Sequence, residues 1–318
     1  MRSYFTDPLS LLKKLNINPQ EILFSTQAAA QFNFKVPESF VNKIHPNDSN
    51  DPLLRQILPI AQELELHDAY QTDPLNESES LSQPGLLQKY HGRALLLVTP
   101  TCAINCRYCF RRHYPYDDKG HLWKQIENNI SIIREDISIE EVILSGGDPL
   151  SLSDDKIADL ITQLETISHL KRVRIHTRFP IVDPQRVTKK LINILSQSKL
   201  KIIMVIHINH AQEIGIDNQK VIAEFSRHKI LLFNQSVLLK GVNDKLETLI
   251  QLSKTLIENQ IIPYYLHMLD KVQGSAHFEV SDEKALVLYQ QLREKLPGYM
   301  LPELVREIAG EKSKLPIS

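Results

Sequence analysis

The stretch Ala94-Leu95-Leu96-Leu97-Val98-Thr99-Pro100-Thr101-Cys102-Ala103-Ile104-Asn105-Cys106-Arg107-Tyr108-Cys109 joins an apolar run to a loop that carries all three cysteines of the chain. The continuous Leu and Val residues predict a strand that is buried on both faces. The cysteines follow this strand with the spacing C-x3-C-x2-C. A disulfide framework prefers an even number of cysteines spread along the chain, so this cluster indicates a metal site.

Similar apolar runs recur along the chain, and stretches with helical periodicity separate them. The predicted strands are Ala94–Val98, Val142–Leu144, Val173–Ile175, Ile202–Ile208, Ile230–Phe233 and Ile261–Leu266. The predicted helices cover residues 121–134, 184–197, 244–258 and 282–295, and another starts at Ser153 with apolar positions 157, 160, 161 and 164. Alternation of this kind predicts an α/β fold, a partial (βα)6 TIM-like barrel with its chemistry at the carboxyl ends of the strands.

The segments outside the barrel differ in composition. Residues 1–85 predict a mostly helical and irregular N-terminal segment, in which Asp51 caps a helix that begins at Pro52. Residues 72–85 are rich in Asp, Pro, Asn, Ser and Gln and predict a loop or linker. We expect residues 86–300 to form the barrel and residues 301–318 to form a C-terminal tail.

Composition excludes several classes of protein. Hydrophobic residues make up 42% and charged residues 24% of the 318 positions, which is typical of globular domains. The formal net charge of −1 predicts no nucleic-acid partner and no attraction to anionic membranes. The chain lacks an apolar run of the roughly 18 residues that a membrane helix needs. The N-terminal residues M-R-S-Y-F-T-D-P contain no apolar signal region, so we expect a cytoplasmic protein.

The cysteine loop favours an iron–sulfur cluster. Thiolates suit such clusters, and three of them can hold three irons of a [4Fe–4S] cubane. The sequence has no further cysteine, so the fourth iron stays open to a chelating molecule. A zinc site with His113 as an additional ligand, or three inert buried thiols, are the alternatives that the sequence leaves open.

The cysteine spacing resembles that of the radical S-adenosylmethionine superfamily, in which the methionine group of S-adenosylmethionine occupies the open iron. Tyr108, just before the last cysteine, is also similar to that superfamily. The segment Ser145-Gly146-Gly147-Asp148-Pro149 follows the second strand and resembles the G-G-E-type motif that contacts the methionine amino group. Glycines at a strand end let the backbone approach a ligand closely. A plain turn with Asp148 near a helix start is the alternative.

A narrower resemblance, over residues 35 to 318, is to the lysine 2,3-aminomutase family. The segments that carry it are Tyr90–Arg93, Cys109–Arg112, Ile175–Pro180, His207–His210, Asn234–Asp244 and Pro263–Tyr265. The resemblance implies pyridoxal phosphate (PLP) as a cofactor beside the cluster and S-adenosylmethionine. It also implies an isomerase that removes a hydrogen from the β-carbon of lysine and moves the α-nitrogen to that carbon.

Such chemistry needs a lysine that binds PLP covalently. By resemblance this residue is Lys314, which stands seven residues after Glu307 and before a Leu-Pro pair. The glycine run of the family is mostly replaced here, Glu307 stands where the family has Asp, and Lys312 is a rival. The resemblance also places Arg93 at the PLP phosphate and Tyr90 near its ring.

The remaining expectations concern the substrate and S-adenosylmethionine. The resemblance assigns the substrate carboxylate to Arg111, because a guanidinium can bind a carboxylate through two hydrogen bonds. It assigns the ε-ammonium to Asp270 and Glu307, and it places Gln235 near S-adenosylmethionine. The roles of four polar residues at strand ends are left open: His176, Arg178, His207 and Asn209.

The chain ends four residues after Lys314, which resembles the short bacterial branch of the family. Members of this branch make (R)-β-lysine for attachment to elongation factor P. The expected partners are therefore L-lysine, elongation factor P or its lysyl ligase, and an external one-electron reductant. An aminomutase for another amino acid such as glutamate is the alternative enzyme, and a non-catalytic iron–sulfur or zinc protein is the alternative outside enzymes. Two acids opposite the side chain favour a cationic substrate.

Overall fold

The computed structural model describes residues 3–116 and 122–317. Its N-terminal segment contains two paired strands, β1 (Tyr4–Phe5) and β2 (Val36–Pro37), and four short helices. These helices are α1 (Pro8–Leu15), α2 (Thr26–Gln31), α3 (Glu38–Val41) and α4 (Pro52–Arg55). The carboxylate of Asp51 accepts hydrogen bonds from the backbone N–H groups of Leu53 and Leu54, at 2.8 and 3.1 Å. The predicted cap is therefore confirmed, although α4 spans only four residues.

A ten-stranded sheet forms the centre of the molecule. Its strands in chain order are β3 (Leu81–Gln83), β4 (Leu86–Tyr90), β5 (Arg93–Thr99), β6 (Glu141–Gly146), β7 (Arg172–Thr177), β8 (Lys201–His207), β9 (Leu231–Val237), β10 (Ile262–His267), β11 (Glu303–Arg306) and β12 (Leu315–Pro316). Strands β5 to β10 are parallel neighbours and correspond to the six predicted runs, with ends that differ by four residues or fewer. The prediction of six parallel strands is therefore confirmed.

Helices cover the outside of these strands. They are α5 (Ile126–Glu135), α6 (Asp154–Leu164), α7 (Phe179–Val182), α8 (Lys189–Ser196), α9 (Ile216–Arg227), α10 (Leu246–Glu258) and α11 (Asp282–Lys295). Single 3-10 turns are Pro19–Ile22, Ala61–Leu64, Leu122–Gln125, Pro149–Ser151, Pro184–Arg186, Ala211–Glu213, Ala276–Phe278 and Gly298–Met300. Ser153 caps α6 as predicted, and the four predicted apolar positions of this helix are buried. The first residue of the predicted helix 121–134 lies outside the described residues.

The sheet continues beyond the predicted barrel on both sides. Strand β11 runs parallel to β10, and β12 pairs antiparallel with β11. Strands β4 and β3 extend the other edge in antiparallel register. Lys89 on β4 lies 3.1 Å from Glu307, which directly follows β11. Because β4 and β11 are far apart in the strand order, this contact shows that the sheet curls into an incomplete barrel.

The N-terminal segment packs on the barrel. Leu11, Leu12 and Phe40 belong to the same buried hydrophobic cluster as Leu96 and Val142 of the central strands. In the described ranges, no helix combines the length and the hydropathy that crossing a membrane requires.

Candidate active site

A cavity of about 1070 Å³ lies inside the curled sheet. Every site residue that the sequence predicts lines it. These residues are Tyr90, Arg93, Cys102, Cys106, Cys109, Arg111, Ser145, Gly146, Gly147, Asp148, Gln235, Asp270, Glu307 and Lys314. The structure thus brings together groups that are up to 224 positions apart in sequence (90 to 314).

The cysteine loop is held by the N-terminal segment. Lys35 Nζ donates to the Cys102 carbonyl at 3.0 Å, and the Asn105 N–H donates to the Lys35 carbonyl at 3.0 Å. Arg107, inside the loop, is fully buried and forms two hydrogen bonds with Glu63, at 2.8 Å from Nε and 2.5 Å from Nη2. The loop therefore takes its shape from residues that precede the barrel.

The three thiols fit an iron–sulfur cluster better than a single metal ion. Their sulfur atoms do not all lie within 4.8 Å of one another, whereas a tetrahedral zinc ion would hold them about 3.8 Å apart. His113 does not line the cavity, and its Nε2 lies 3.0 Å from the Gln273 carbonyl. Burial, and then the neighbouring Cys106, raises the pKa of Cys109 to about 11, so its thiolate needs a nearby cation such as iron.

The Ser145–Asp148 segment packs directly against the start of the cysteine loop. A Cβ atom on Gly146 would lie 2.5 Å from the Thr99 carbonyl oxygen, and one on Gly147 would lie 2.5 Å from the Thr101 carbonyl oxygen. The glycines therefore allow a close approach between two backbone segments of the protein. Gly146 also has a φ of 115°, which favours glycine.

The carboxylate of Asp148 forms its hydrogen bonds with other groups of the protein. Its carboxylate accepts hydrogen bonds from the Thr177 hydroxyl and the Arg178 N–H, both at 2.7 Å, and from the Leu150 N–H at 3.0 Å. Burial raises its pKa to about 6 despite these donors. The side chain of Asp148 therefore caps the turn that begins at Pro149, as in the alternative interpretation of this segment. A contact of Asp148 with a cofactor stays a prediction.

Arg178 is a buried cation beside the cysteines. Its Nη1 lies 2.7 Å from Cys106 Sγ, and its Nη2 donates to Gln56 at 2.6 Å and to Glu213 at 2.8 Å. Burial opposes ionisation of Glu213, but Arg178 outweighs it and lowers the pKa of this carboxyl. The sequence left the role of Arg178 open, and in the structure Arg178 packs against the cysteine loop at Cys106.

Two of the other three undecided polar residues line the cavity. His176 and His207 line it, whereas Asn209 is fully buried beside it. Burial, and then Arg178, lowers the pKa of His207 to about 3, so this imidazole is neutral. Asn209 Nδ2 donates to Gln56 at 3.0 Å and to the Tyr108 hydroxyl at 2.7 Å. Asn209 therefore supports the aromatic residue of the cysteine loop.

The acids and the C-terminal lysine form one group. The carboxylate of Glu307 pairs with Lys314 and, at 3.1 Å, with Lys89. Burial opposes its ionisation, but Lys314 and then Lys89 outweigh it and lower the pKa of Glu307 to about 2. Burial, and then Glu307, raises the pKa of Asp270 to about 7. Lys312, the rival of Lys314, is exposed and does not line the cavity.

Glu77 and Lys89 are two of the charged residues of this cavity that were not found from the sequence. Glu77 binds Arg111 through two hydrogen bonds, at 2.7 and 2.8 Å, and Lys89 lies 3.3 Å from Glu77. Glu77 lies in the segment that the composition marks as a linker, where nothing in its local pattern distinguishes it from Glu79. Lys89 directly precedes the quoted Tyr90–Arg93 segment, and only that position could have indicated it.

Two of the residues that the resemblance assigns to PLP lie near the start of a central strand. Arg93 begins β5, and its guanidinium lies 5.6 Å from the ring centre of Tyr90. The cysteines follow the end of the same strand, which is roughly 20 Å long at 3.3 Å per residue. Gln235 lies on β9 in the same cavity. The cavity therefore extends from the cysteine loop, after the end of β5, to the Arg93–Tyr90 pair at the start of the same strand.

Comparisons with known proteins agree with this geometry. The family model described as the Radical SAM superfamily matches residues 96–252. L-lysine 2,3-aminomutase of Escherichia coli is 46% identical over 98% of this chain and 91% of that protein. The proteins of the same name from Haemophilus influenzae and Clostridium subterminale are 43% and 33% identical, over 99% and 96% of this chain and 93% and 74% of theirs.

Solved structures are more distant. SuiB of Streptococcus suis, in a crystal structure with S-adenosylmethionine bound, aligns with a TM-score of 0.45 at 18% identity over 69% of this chain and 51% of that chain. The close relatives extend over nearly the whole chain. This chain belongs to the L-lysine 2,3-aminomutase family of the radical S-adenosylmethionine superfamily.

Proposed function

We propose that the chain is an isomerase that converts L-α-lysine into β-lysine. The observation that carries the proposal is the cavity that Cys102, Cys106 and Cys109 share with Asp270, Glu307 and Lys314. A metal-binding scaffold would need the thiols, but it would need neither a partly buried lysine nor two acids beside it. The family membership of the chain supports the same reaction.

The cofactors of the proposal are a [4Fe–4S] cluster, S-adenosylmethionine and PLP. The three cysteines hold the cluster, and Ser145, Gly146, Gly147, Asp148 and Gln235 line the place for S-adenosylmethionine. Lys314 binds PLP covalently, with Tyr90 at the ring and Arg93 at the phosphate. When bound, the cluster and S-adenosylmethionine supply a carbon radical that removes hydrogen, and PLP carries the migrating nitrogen. An external one-electron reductant is needed to start the reaction.

The protein's own residues orient lysine between these groups. Arg111 receives the α-carboxylate and Asp270 receives the ε-ammonium. Glu307 pairs with two lysines in the structure. Once Lys314 commits its nitrogen to PLP, Glu307 keeps only Lys89 as a cation partner and can accept the substrate ammonium as well. The curled sheet around the cavity limits the access of water to a reactive radical.

A glutamate aminomutase is the second candidate. Its substrate would place a carboxylate against Asp270 and Glu307, and like charges in a buried site repel strongly. The acid pair therefore favours lysine, or a shorter diamine acid such as ornithine, over glutamate.

The test is product analysis of the anaerobically reconstituted protein with lysine, ornithine and glutamate. We expect β-lysine from lysine and no product from glutamate. Asp270→Asn should raise the KM for lysine more than tenfold, since removing one partner of a buried charge pair costs about 2–5 kcal/mol. Asp217→Asn, at an exposed position, is the matched control. Efficient turnover of glutamate would contradict the proposal.

We also propose that the product is the R form and that it serves the modification of elongation factor P in the cytoplasm. The support is the resemblance to the short bacterial branch, and the chain is 46% identical to the Escherichia coli relative against 33% to the clostridial one. The experiment is co-expression with elongation factor P and its lysyl ligase, followed by hydrolysis and chiral chromatography of the attached residue. Attachment of α-lysine alone would contradict this part of the proposal.

A further inference from the structure

The guanidinium of Arg111 is already held by the protein on most of its sides. Nε and Nη2 donate to the two carboxylate oxygens of Glu77 at 2.7 and 2.8 Å. Nη1 donates to the Ser145 hydroxyl at 2.9 Å and to the Gly146 carbonyl at 3.3 Å. A guanidinium has five N–H groups, so within the described part of the chain only one N–H, on Nη2, has no acceptor.

Glu77 is fixed in turn. It is 2% exposed, and the carboxylate of Asp73 accepts hydrogen bonds from the backbone N–H groups of Glu77 and Ser78, at 2.9 and 3.1 Å. Burial opposes ionisation of Glu77, but Arg111 and then Lys89 outweigh it and lower its pKa. Glu77 is therefore a charged carboxylate between two cations at neutral pH.

A substrate carboxylate could meet Arg111 in two ways. It could displace Glu77 from the Nε–Nη2 side, or it could approach the outer Nη1–Nη2 side while Glu77 stays in place. Displacement would leave the buried Glu77 carboxylate without its main partner, and breaking a buried ion pair is strongly unfavourable. The outer side carries the N–H without an acceptor and lies next to the Ser145 hydroxyl, which can donate its own hydrogen. Binding at the outer Nη1–Nη2 side therefore costs less free energy than displacement of Glu77.

We infer that Glu77 is a positioning residue that locks Arg111, so that the substrate carboxylate is received by the outer Nη1–Nη2 side together with the Ser145 hydroxyl. This inference rests on the proposed function, because that proposal assigns the carboxylate to Arg111. Glu77 touches no substrate itself. It fixes the direction in which the guanidinium points, and it neutralises the charge that Arg111 and Lys89 would otherwise share unopposed.

The inference predicts a loss of carboxylate recognition when Glu77 is neutralised. In Glu77→Gln the guanidinium can turn, and a misplacement of about 1 Å can cost roughly 100-fold in rate. We expect the kcat/KM for lysine to fall at least roughly tenfold, mainly through a higher KM. Lysinamide, which lacks the carboxylate charge, should lose much less, so the lysine-to-lysinamide preference should shrink by a similar factor.

The matched control is Glu79→Gln, at an exposed position of the same loop, which should keep the wild-type preference. Iron content should be unchanged in both variants, melting curves should show that each is folded, and Glu79→Gln should also keep the wild-type rate of uncoupled S-adenosylmethionine cleavage. If Glu77→Gln does not fold, Glu77→Asp takes its place, because it keeps the negative charge on a shorter side chain. It should lower the lysine-to-lysinamide preference by a smaller factor than we expect for Glu77→Gln.

Three results would overturn the inference. An unchanged lysine-to-lysinamide preference in a folded variant would show that Glu77 is only structural. A lower KM for lysine in Glu77→Gln would show that Glu77 competes with the substrate instead of orienting its receptor. If the wild type produces no β-lysine at all, the proposed function fails and this inference fails with it.

Discussion

At the scale of single residues, Asp270 has a carboxylate with no hydrogen-bond or ion-pair partner in the part of the chain that the structure describes. Burial, and then the neighbouring Glu307, raises its pKa to about 7. A cation that binds beside such a carboxylate lowers the free energy of its ionised form. An ammonium group is therefore a better ligand for this end of the cavity than a neutral or anionic side chain.

The raised pKa predicts a pH dependence for lysine. Below about pH 7 the Asp270 carboxyl of the free enzyme takes up a proton, becomes neutral and no longer attracts the ε-ammonium, which stays charged because its pKa is about 10.4. The kcat/KM for lysine should thus fall as pH decreases through 7, by up to about tenfold per pH unit. In the pH profile of kcat the inflection should lie at a lower pH than in that of kcat/KM, since a bound ammonium lowers the Asp270 pKa.

The measurement is the pH profile of the wild type and Asp270→Asn, with uncoupled S-adenosylmethionine cleavage recorded at each pH as a reference. Asp270→Asn should have a low kcat/KM that does not change between pH 6 and 8. The same inflection near pH 7 in both proteins would assign the titration to a different group.

The sequence predicted the site residues unevenly, for physical reasons. Arg111 and Lys314 stand at fixed distances from recognisable segments, so their types and positions could be compared with the family. Glu77 and Lys89 become important only because the sheet curls and brings β4 next to the end of β11. A contact between distant segments leaves no periodicity in either of them.

At the scale of elements, the turn after β6 fixes the start of the cysteine loop. Gly147 N–H donates to the Thr99 carbonyl at 2.7 Å, and Asp148 N–H donates to the Thr101 carbonyl at 2.8 Å. These bonds require the two backbones to lie so close that a side chain at Gly147 would overlap Thr101. The glycine pair thus acts on the cluster site through the position of the loop.

Gly147→Ala should displace the cysteine loop. The added Cβ would lie 2.5 Å from the Thr101 carbonyl oxygen and 2.7 Å from the Pro100 carbonyl carbon, and neither backbone atom can move independently of the loop. Overpacking of this kind costs about 1–3 kcal/mol. We expect a lower melting temperature and less than one cluster per chain after reconstitution. Gly298→Ala is the control, because a Cβ there has no neighbour within 4 Å. Full iron content in Gly147→Ala would contradict this account of the turn.

The elements themselves were predictable where burial is uniform. Strands β5, β6 and β8 are mostly runs of Val, Ile and Leu with few exposed positions, so composition alone reveals them. Helix α9 was missed because its buried side consists of only Asn218, Ile222 and Phe225, which is too sparse a stripe for a periodic signal. Strands β11 and β12 were missed because they are short, with four and two residues.

At the scale of the whole molecule, the N-terminal segment is part of the site. Glu63, which is 2% exposed, pairs with both Arg107 and Arg112 next to the cysteines. The boundaries after residues 85 and 300 stay predictions. The shared hydrophobic cluster and these ion pairs argue that the N-terminal segment and the barrel fold together.

Glu63→Gln should destabilise the whole chain. The substitution leaves two buried guanidinium groups without their carboxylate, which costs about 3–5 kcal/mol, or a melting temperature lower by roughly 4–8 °C. Iron uptake should fall too, since the cysteine loop loses its anchor. Glu65→Gln, at a position with a 62% exposed side chain, should change neither property. A melting temperature within about 1 °C of the wild type would show that the two segments are not coupled through Glu63.

The central claim is that one cavity holds the cluster at its cysteines and PLP on Lys314. The most direct test is anaerobic reconstitution with iron, sulfide and PLP, followed by metal analysis, borohydride reduction and peptide mapping. The account predicts a brown protein with one [4Fe–4S] cluster per chain and a pyridoxyl group on Lys314. Lys312→Ala should keep this label, and Lys314→Ala should lose it while keeping the iron. A colourless zinc protein, or a label on Lys312 or upstream of residue 300, would contradict it.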